Sequence, residues 1–211
     1  DTWSAVTGSV WIYADAAGDD RVWGKTWGTG STDNTINMRI TGTGASTLGC
    51  RFRSDADSTT GYEPGSVSNG EWIHFVLTWD GAGDDTVRIY QDGQLQGSGT
   101  SVSGSTLYGS PVHEFFTLGN VGDGTNNRAF DGRLEEARLA DTARSAGWIE
   151  TEYNNQSDVG SFLTFGTELM EDEIATTTTI STAGSQISTL AFATSSAYIG
   201  GSFTFLPDMD N

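Results

Sequence analysis

Pairs of acidic residues are the side chains in this sequence with the clearest potential for catalysis. Two carboxylates held about 5 Å apart across a glycosidic bond can serve as nucleophile and acid. Glu135 and Glu136 do not fit this role, because adjacent residues of a strand face opposite sides of a sheet. Glu150 and Glu152 are expected on the surface of a helix. We therefore predict no catalytic residues and no enzymatic activity.

The two histidines and the single cysteine offer no alternative nucleophile or base. His74 falls in the middle of a long apolar strand, where a structural role is expected. His113 lies beside Glu114 in a predicted loop, and a general base would need a partner that the sequence does not identify. Cys50 cannot form an intrachain disulfide, and its neighbours are typical of a small apolar residue in a strand.

Clustered Asp and Asn residues in predicted loops have the oxygen chemistry that calcium prefers. They occur at residues 19–20, at the turn around residues 80–85 and in the loop 120–131. None follows an ordered ligand motif, so ordinary turn-forming residues are the alternative explanation. The candidate calcium ligands are Asp19, Asp20, Asp80, Asp84, Asp85, Asp123, Asn126 and Asp131.

Aromatic side chains beside polar loops could stack on sugar rings. Trp23, Trp27 and Tyr62 lie in such positions and are the candidate stacking residues. The alternative is that most tryptophans of this chain belong to the core. Three further tryptophans are expected there: Trp72, Trp79 and Trp148.

The charge balance restricts the possible partners. The chain of 211 residues has 28 acidic and 10 basic side chains, and its formal net charge is −18. Phosphate recognition needs clustered Lys and Arg, and the sequence shows no such cluster, so nucleic acid is not an expected partner. No apolar run approaches the length of a membrane span, so membrane insertion is not expected either.

Turn signals recur every eight to twelve residues over the first three-quarters of the chain, which is typical of an all-β sandwich. Asp92 and Gly93 predict a two-residue hairpin turn, because both positions favour positive φ. One short helix is predicted at Ser145–Tyr153, with Ser145 as its cap. Ser54–Asn69 is expected to be a loop and Phe162–Gly166 a closing strand. The other predicted strands are Thr7–Tyr13, Val22–Trp27, Thr35–Thr41, Leu48–Arg53, Glu71–Asp80, Thr86–Gln91, Gln94–Gln96, Phe115–Gly119 and Arg133–Leu139.

Several segments, taken in order, resemble the laminin-G-like (concanavalin-A-like) jelly roll of bacterial or archaeal surface proteins. Glu71–Gly93 resembles its central hairpin, with Trp-x-His on the first strand and Asp-Gly at the end of the second. Phe116–Gly119 and Gly132–Leu139 resemble two later strands, and Trp148 lies in the short helix that follows. The resemblance covers about residues 5–168. It implies an antiparallel β-sandwich with one short helix, and it implies calcium at a sandwich rim in many members.

The chain departs from that family at both ends. Members usually begin with an extra strand, whereas only Asp1–Val6 precede the first strand here, so an edge of the sandwich could be open. After Leu169 the composition changes, with 14 Ser and Thr among the last 42 residues. Tyr198–Leu206 nevertheless alternates like a strand that needs a partner. We predict a sandwich domain over residues 1–169 and a β-rich tail, or the start of a further module, over residues 170–211.

These features predict a non-catalytic adhesion or glycan-binding module located outside the cell or on its surface. The expected partner is a glycan or a surface protein. The alternative is a structural subunit of an extracellular filament or array, in which copies of the chain assemble by strand exchange through the tail. The residues of that assembly strand would be Tyr198, Ile199, Phe203 and Phe205.

Overall fold

The computed structural model describes residues 3–16, 18–26, 34–42, 46–56, 59–109, 116–120 and 128–162. The chain divides into two compact units, Asp1–Leu163 and Thr164–Asn211, and all of the described residues belong to the first. The predicted boundary at residue 169, the assembly strand and the closing strand beyond Phe162 lie outside the described residues.

Ten strands and two short helices form the described part of the chain. The strands are β1 Ala5–Ala14, β2 Asp20–Thr26, β3 Asn34–Thr41, β4 Thr47–Arg53, β5 Thr59–Tyr62, β6 Trp72–Asp80, β7 Thr86–Gln91, β8 Gln94–Ser101, β9 Phe116–Leu118 and β10 Gly132–Ala140. The helices are α1 Ala146–Ser157 and α2 Val159–Phe162.

The strands build two antiparallel sheets, which confirms the predicted all-β sandwich. The first sheet has the order β10-β1-β6-β7-β8 and the second has the order β5-β4-β3-β2-β9. Every strand pair within them is antiparallel. The hydrophobic core lies between the sheets, and side chains that alternate along each strand form it. Its members include Val10, Ile12, Ile36, Met38, Ile40, Leu48, Cys50, Phe52, Phe75, Leu77 and Trp79.

The predicted hairpin between β7 and β8 is confirmed by its backbone. Asp92 and Gly93 have φ angles of 51° and 77°, as a two-residue turn of this type requires. The Asp92 carboxylate also accepts a hydrogen bond from the backbone N–H of His74, at 2.9 Å. The turn lies against helix α1, since a Cβ added at Gly93 would be 3.2 Å from the Cβ of Tyr153.

Helix α1 begins as predicted and continues beyond the predicted end. The Ser145 hydroxyl accepts a hydrogen bond from the N–H of Trp148 and caps the helix. The helix runs on to Ser157, and Ile149 forms a small buried cluster with Val76 and Tyr90 on the outer face of the first sheet. α1 therefore covers part of that face.

Three local predictions are wrong. The predicted loop Ser54–Asn69 contains β5, which pairs with β4. Phe162 ends the short helix α2 instead of starting a strand. Among the three tryptophans expected in the core, only Trp79 is buried, because Trp72 and Trp148 lie on the outer side of the first sheet with 38% and 39% of their surface exposed.

Candidate functional site

A groove of about 970 Å³ runs between helix α1 and the outer face of the first sheet. Strands β1, β6 and β10 contribute one wall, and α1 with the residues after it contributes the other. Its aromatic lining consists of Trp11, Trp72, Trp148 and Tyr153. Its charged lining consists of Glu135, Glu136, Arg138 and Glu152.

Two tryptophans present indole surface to this groove. Trp72 is the first residue of β6 and packs against Tyr13, with 5.5 Å between the ring centroids. Trp148 lies in the first turn of α1, and the Arg144 guanidinium is 4.8 Å from its ring centroid. Both indoles remain more than one-third exposed. The groove therefore offers aromatic surface to a ligand, at two positions for which the sequence predicts a place in the core.

A β-bulge brings two adjacent acidic residues into the same groove. Ser9 pairs with Arg138, but Trp11 pairs with Glu135, so one residue of β1 faces two residues of β10. Glu136 lies in the bulge with a φ of 51°. Because the bulge interrupts the alternation of side chains, Glu135 and Glu136 both line the groove. The prediction that they face opposite sides of the strand is wrong for this reason.

Arg138 joins Glu136 of β10 to Glu152 of helix α1. Its guanidinium donates to the Glu136 carboxylate at 2.6 Å and also to the Glu152 carboxylate. Glu152 is buried, which corrects the expectation that it lies on the helix surface. Burial raises the pKa of Glu152, and the hydrogen bond from Arg138 opposes that effect. The ion pair therefore fastens α1 to the edge strand of the first sheet.

His74 lies beneath the helix and packs against two aromatic residues that line the groove. The residue is buried, as predicted for a structural histidine. Its ring centroid is 5.1 Å from that of Trp11 and 6.1 Å from that of Tyr153. The indole N–H of Trp11 in turn donates to the side chain of Gln156. These contacts fix the aromatic floor of the groove relative to α1.

Trp23 and Tyr62, the two predicted stacking residues that the structure describes, do not form a second aromatic site. Trp23 is only 1% exposed and packs against Phe116 at the interior side of the second sheet, so its ring offers no surface to a sugar. Tyr62 packs against the core, and its hydroxyl accepts from the N–H of Gly99 and donates to the carbonyl of Gln96. Trp27 lies outside the described residues.

The candidate calcium ligands at the β6–β7 turn are engaged with the chain itself. The Asp80 carboxylate accepts from the N–H of Ala82, and the Asp84 carboxylate accepts from the N–H of Thr86. Asp84 also pairs with Arg88, which lowers its pKa to about 2. Asp85 has a φ of 55°, in keeping with a turn position.

Of the remaining candidate ligands, Asp19, Asp20 and Asp131 lie within the described residues. Asp19 pairs with Arg21 and Arg128. Burial raises the pKa of Asp20, and the charges of Asp19 and Asp131 raise it further. Asp123 and Asn126 lie outside the described residues. Within the described ranges, no group of three or more His, Cys, Asp or Glu side chains is arranged to hold a metal ion, and calcium binding stays a prediction.

A family model described as the Concanavalin A-like lectin/glucanases superfamily matches residues 2–150. The match covers more than half of the sequence, and the chain belongs to this superfamily. The resemblance to the laminin-G-like jelly roll is thereby confirmed. No curated protein matches the chain. None of the helices among the described residues is long and apolar enough to cross a membrane.

Solved structures share this fold at low sequence identity. The CBM40 module of the Ruminococcus gnavus IT-sialidase has a TM-score of 0.54 and 14% identity, over 72% of this chain and 84% of that one. The heptameric SAP-like pentraxin from Limulus polyphemus has a TM-score of 0.53 and 19% identity, over 72% and 71%. A "putative carbohydrate binding protein" from Bacteroides ovatus has a TM-score of 0.55 and 21% identity, over 70% and 40%. The chain spans less than half of that last protein, and at such identities the likeness shows the fold alone.

Proposed function

We propose that this chain is a non-catalytic glycan-binding module and that the groove beneath helix α1 holds the sugar. The observation that carries the proposal is the exposure of Trp72 and Trp148 along one groove that also contains carboxylates. Carbohydrate-binding relatives of the same fold support it, since the R. gnavus CBM40 module has also been solved bound to α2,3 sialyllactose. As part of the same proposal, the module works outside the cell or on its surface.

The chemistry of the groove suits a neutral saccharide. The C–H faces of a sugar ring pack well on an indole, and Trp72 and Trp148 supply two such surfaces. Carboxylates accept hydrogen bonds only, so Glu135 can bind ring hydroxyls as their acceptor. Glu135 is exposed at the groove and has no ion pair with Arg138, whereas Glu136 and Glu152 do.

The same ion pairs argue against hydrolysis. A retaining or inverting glycosidase needs one carboxylic acid that is free to protonate the leaving oxygen and a second carboxylate that acts as nucleophile or base. Here Arg138 binds both Glu136 and Glu152, and Glu152 is buried. Glu135 is free of Arg138, so a second carboxylate, Glu136 or Glu152, would have to be released from that guanidinium before a proton donor and a nucleophile were both available.

The proposal is tested with a glycan array and with calorimetric titration of the neutral oligosaccharides that bind. Trp72→Ala and Trp148→Ala are expected to weaken binding of the same oligosaccharide at least about tenfold each, which is the loss of roughly 1.4 kcal/mol. Trp3→Ala is the matched control, because Trp3 is 36% exposed and lies away from the groove. Equal losses in all three variants, or no ligand on the array, would refute the assignment.

A second candidate function is assembly through an open edge of the sandwich. Edge strands β9 and β10 lie beside a small cavity of about 200 Å³, which Phe116 and Leu139 line together with Trp3. Phe116, Leu118 and Leu139 are each more than two-fifths exposed. This apolar edge favours strand addition, and we propose the segment Tyr198–Leu206 of a second copy as its occupant.

Deletion of residues 170–211 tests this second candidate by light scattering and electron microscopy. The full chain is expected to assemble and the shortened chain to remain monomeric. Leu118→Asp should also abolish assembly. Leu95→Asp should not, because Leu95 is similarly exposed but lies on β8, at the edge of the first sheet opposite β10. Polymers that persist after the deletion would exclude strand exchange through the tail.

A further inference from the structure

The fold gathers arginines that are far apart in the sequence. Arg21 on β2 and Arg39 on β3 are cross-strand partners, and Arg51 lies on the neighbouring strand β4. The carbonyl of Arg128 accepts a hydrogen bond from the N–H of Arg21 at 3.0 Å. We call the set Arg21, Arg39, Arg51 and Arg128 the arginine face. It holds four of the ten basic residues of the chain. These residues are scattered in the sequence, but the fold brings them into one cluster.

The arginine face belongs to the outer side of the second sheet. Arg39 alternates with the core residues Met38 and Ile40, and Arg51 alternates with Cys50 and Phe52. The groove beneath helix α1 lies on the outer side of the first sheet. The two features are therefore on opposite faces of the sandwich.

Two carboxylates among the described residues form ion pairs with this face. Asp19 is shared between Arg21 and Arg128, and Glu63 pairs with Arg39. Asp20 also affects Arg21 electrostatically, but burial and the charges of Asp19 and Asp131 raise the pKa of Asp20. Two of the four guanidiniums therefore share one partner.

Three of these guanidinium groups also keep one buried nitrogen without an acceptor among the described residues. Within the described part of the chain, the Nε atoms of Arg21, Arg39 and Arg128 have no acceptor, and the side chains of Arg21 and Arg39 are only 1% and 7% exposed. An unsatisfied buried polar group destabilises the folded state, and more so when it is charged. Burial lowers the pKa values of Arg21 and Arg39, and the neighbouring charge of Arg39 lowers the pKa of Arg21 further. An anion bound beside the partly exposed Arg128 would offset part of the positive charge of these buried guanidiniums.

We propose that the arginine face binds the carboxylate of an acidic saccharide of the uronic acid class. A guanidinium presents its N–H groups as a planar fork that matches a carboxylate. Arg128, Asp19 and Glu63 are about one-third exposed and form an accessible rim above the buried Arg21 and Arg39. The saccharide part of this inference rests on the proposed function, whereas the anionic part rests on the arginine face alone.

The test follows the arginine Nε–H signals in ¹⁵N-edited NMR spectra of the full chain. Sodium D-glucuronate is added at millimolar concentrations and compared with D-glucose, sodium acetate and sodium chloride at matched concentration. We expect glucuronate to shift the Nε–H signals of Arg21, Arg39 and Arg128, with glucose and chloride leaving them in place. Acetate should bind at least about tenfold more weakly than glucuronate, since it lacks the sugar.

Arg128→Gln is the test variant. Arg128 lies at the rim, and its substitution leaves the buried Arg21 and Arg39 unchanged. It is expected to weaken glucuronate binding at least about tenfold. Arg88→Gln is the matched control, because both side chains are 30% exposed and both pair with an aspartate. Unchanged melting temperatures in both variants show that they fold.

Three results would overturn the inference. They are the absence of Nε–H shifts with glucuronate, equal shifts with chloride, and equal affinity for acetate. Failure of the proposed function looks different, since Trp72→Ala and Trp148→Ala would then leave neutral-glycan binding unchanged while the response to glucuronate persists.

Discussion

The imidazole Nε2 of His74 lies 3.7 Å from a carboxylate oxygen of Glu152, and both side chains are buried beneath helix α1. His74 belongs to the first sheet and Glu152 to the helix. Among the residues that the structure describes, neither the Nδ1 of His74 nor that oxygen of Glu152 has a hydrogen-bond partner. The contact between helix and sheet therefore depends on the protonation of these two groups.

The first prediction concerns stability in mild acid. Burial lowers the pKa of His74 from 6.5 to about 4, and the charge of Arg138 contributes to the same shift. As the pH falls from 6.5 to 4, the unfolded chain takes up a proton on this histidine that the folded chain does not bind. The free energy of unfolding should therefore decrease over this window, by about 3 kcal/mol from this residue.

The measurement is urea denaturation at a series of pH values for the unaltered chain and for His74→Gln. Glu152 changes the free energy of unfolding in the opposite direction as the pH falls, because its raised pKa lets the folded state bind a proton more readily than the unfolded state. The difference between the two proteins isolates His74. Parallel curves from pH 6.5 to pH 4 would show that His74 is not held neutral.

The second prediction separates two glutamates that are close in sequence. Glu152→Ala removes a buried partner of Arg138, and we expect a loss of about 1–3 kcal/mol in unfolding free energy. Glu150→Ala, two residues earlier in the same helix, should change stability by less than about 0.5 kcal/mol because Glu150 is exposed. Chemical denaturation measures both, and equal effects would contradict the buried position of Glu152.

The third prediction uses glycines to test the buried position of Trp23. A Cβ at Gly8 would lie 1.7 Å from the Trp23 ring, so Gly8→Ala should destabilise the fold by about 3 kcal/mol or more. A Cβ at Gly147 in α1 would meet no atom within 4 Å, so Gly147→Ala should stabilise the fold by about 0.5–1 kcal/mol. Thermal unfolding of both variants provides the comparison. A harmless Gly8→Ala would mean that the Trp23 ring lies elsewhere.

The fourth prediction concerns the only cysteine of the sequence. Burial raises the pKa of the Cys50 thiol to about 12, and the side chain is fully enclosed. A thiol reagent such as Ellman's reagent should therefore label the folded chain very slowly at pH 8 and label it promptly in denaturant. Rapid labelling without denaturant would place Cys50 outside the core.

The sequence predicted the sandwich well because the sandwich follows from local periodicity. Val10 and Ile12 alternate with Trp11 and Tyr13 along β1, and the first pair is buried in the core as predicted. The Asp92 turn is equally local, because its signal lies in two adjacent residues. Membership of the superfamily also agrees with the motifs in Glu71–Gly93.

The candidate site could not be predicted in the same way, because it depends on long-range packing. Trp72 and Trp148 have the neighbours of core residues, and only the position of α1 on the sheet shows that they line a groove. The bulge at Glu136 has no local signal in the sequence. The arginine face joins residues as far apart as Arg21 and Arg128, and a backbone hydrogen bond between β2 and the segment before β10 brings these two together.

We expect a glycan to occupy the groove beneath α1. NMR of the indole N–H signals of the seven tryptophans can test this expectation. The chain is titrated with neutral tetrasaccharides that represent common linkages: cellotetraose, laminaritetraose, xylotetraose and mannotetraose. We expect at least one of them to shift the signals of Trp72 and Trp148 together and saturably, while the signals of Trp3, Trp23 and Trp79 stay in place. Saturable shifts at Trp3 with the groove signals unmoved, or no shift with any of the four sugars, would contradict it.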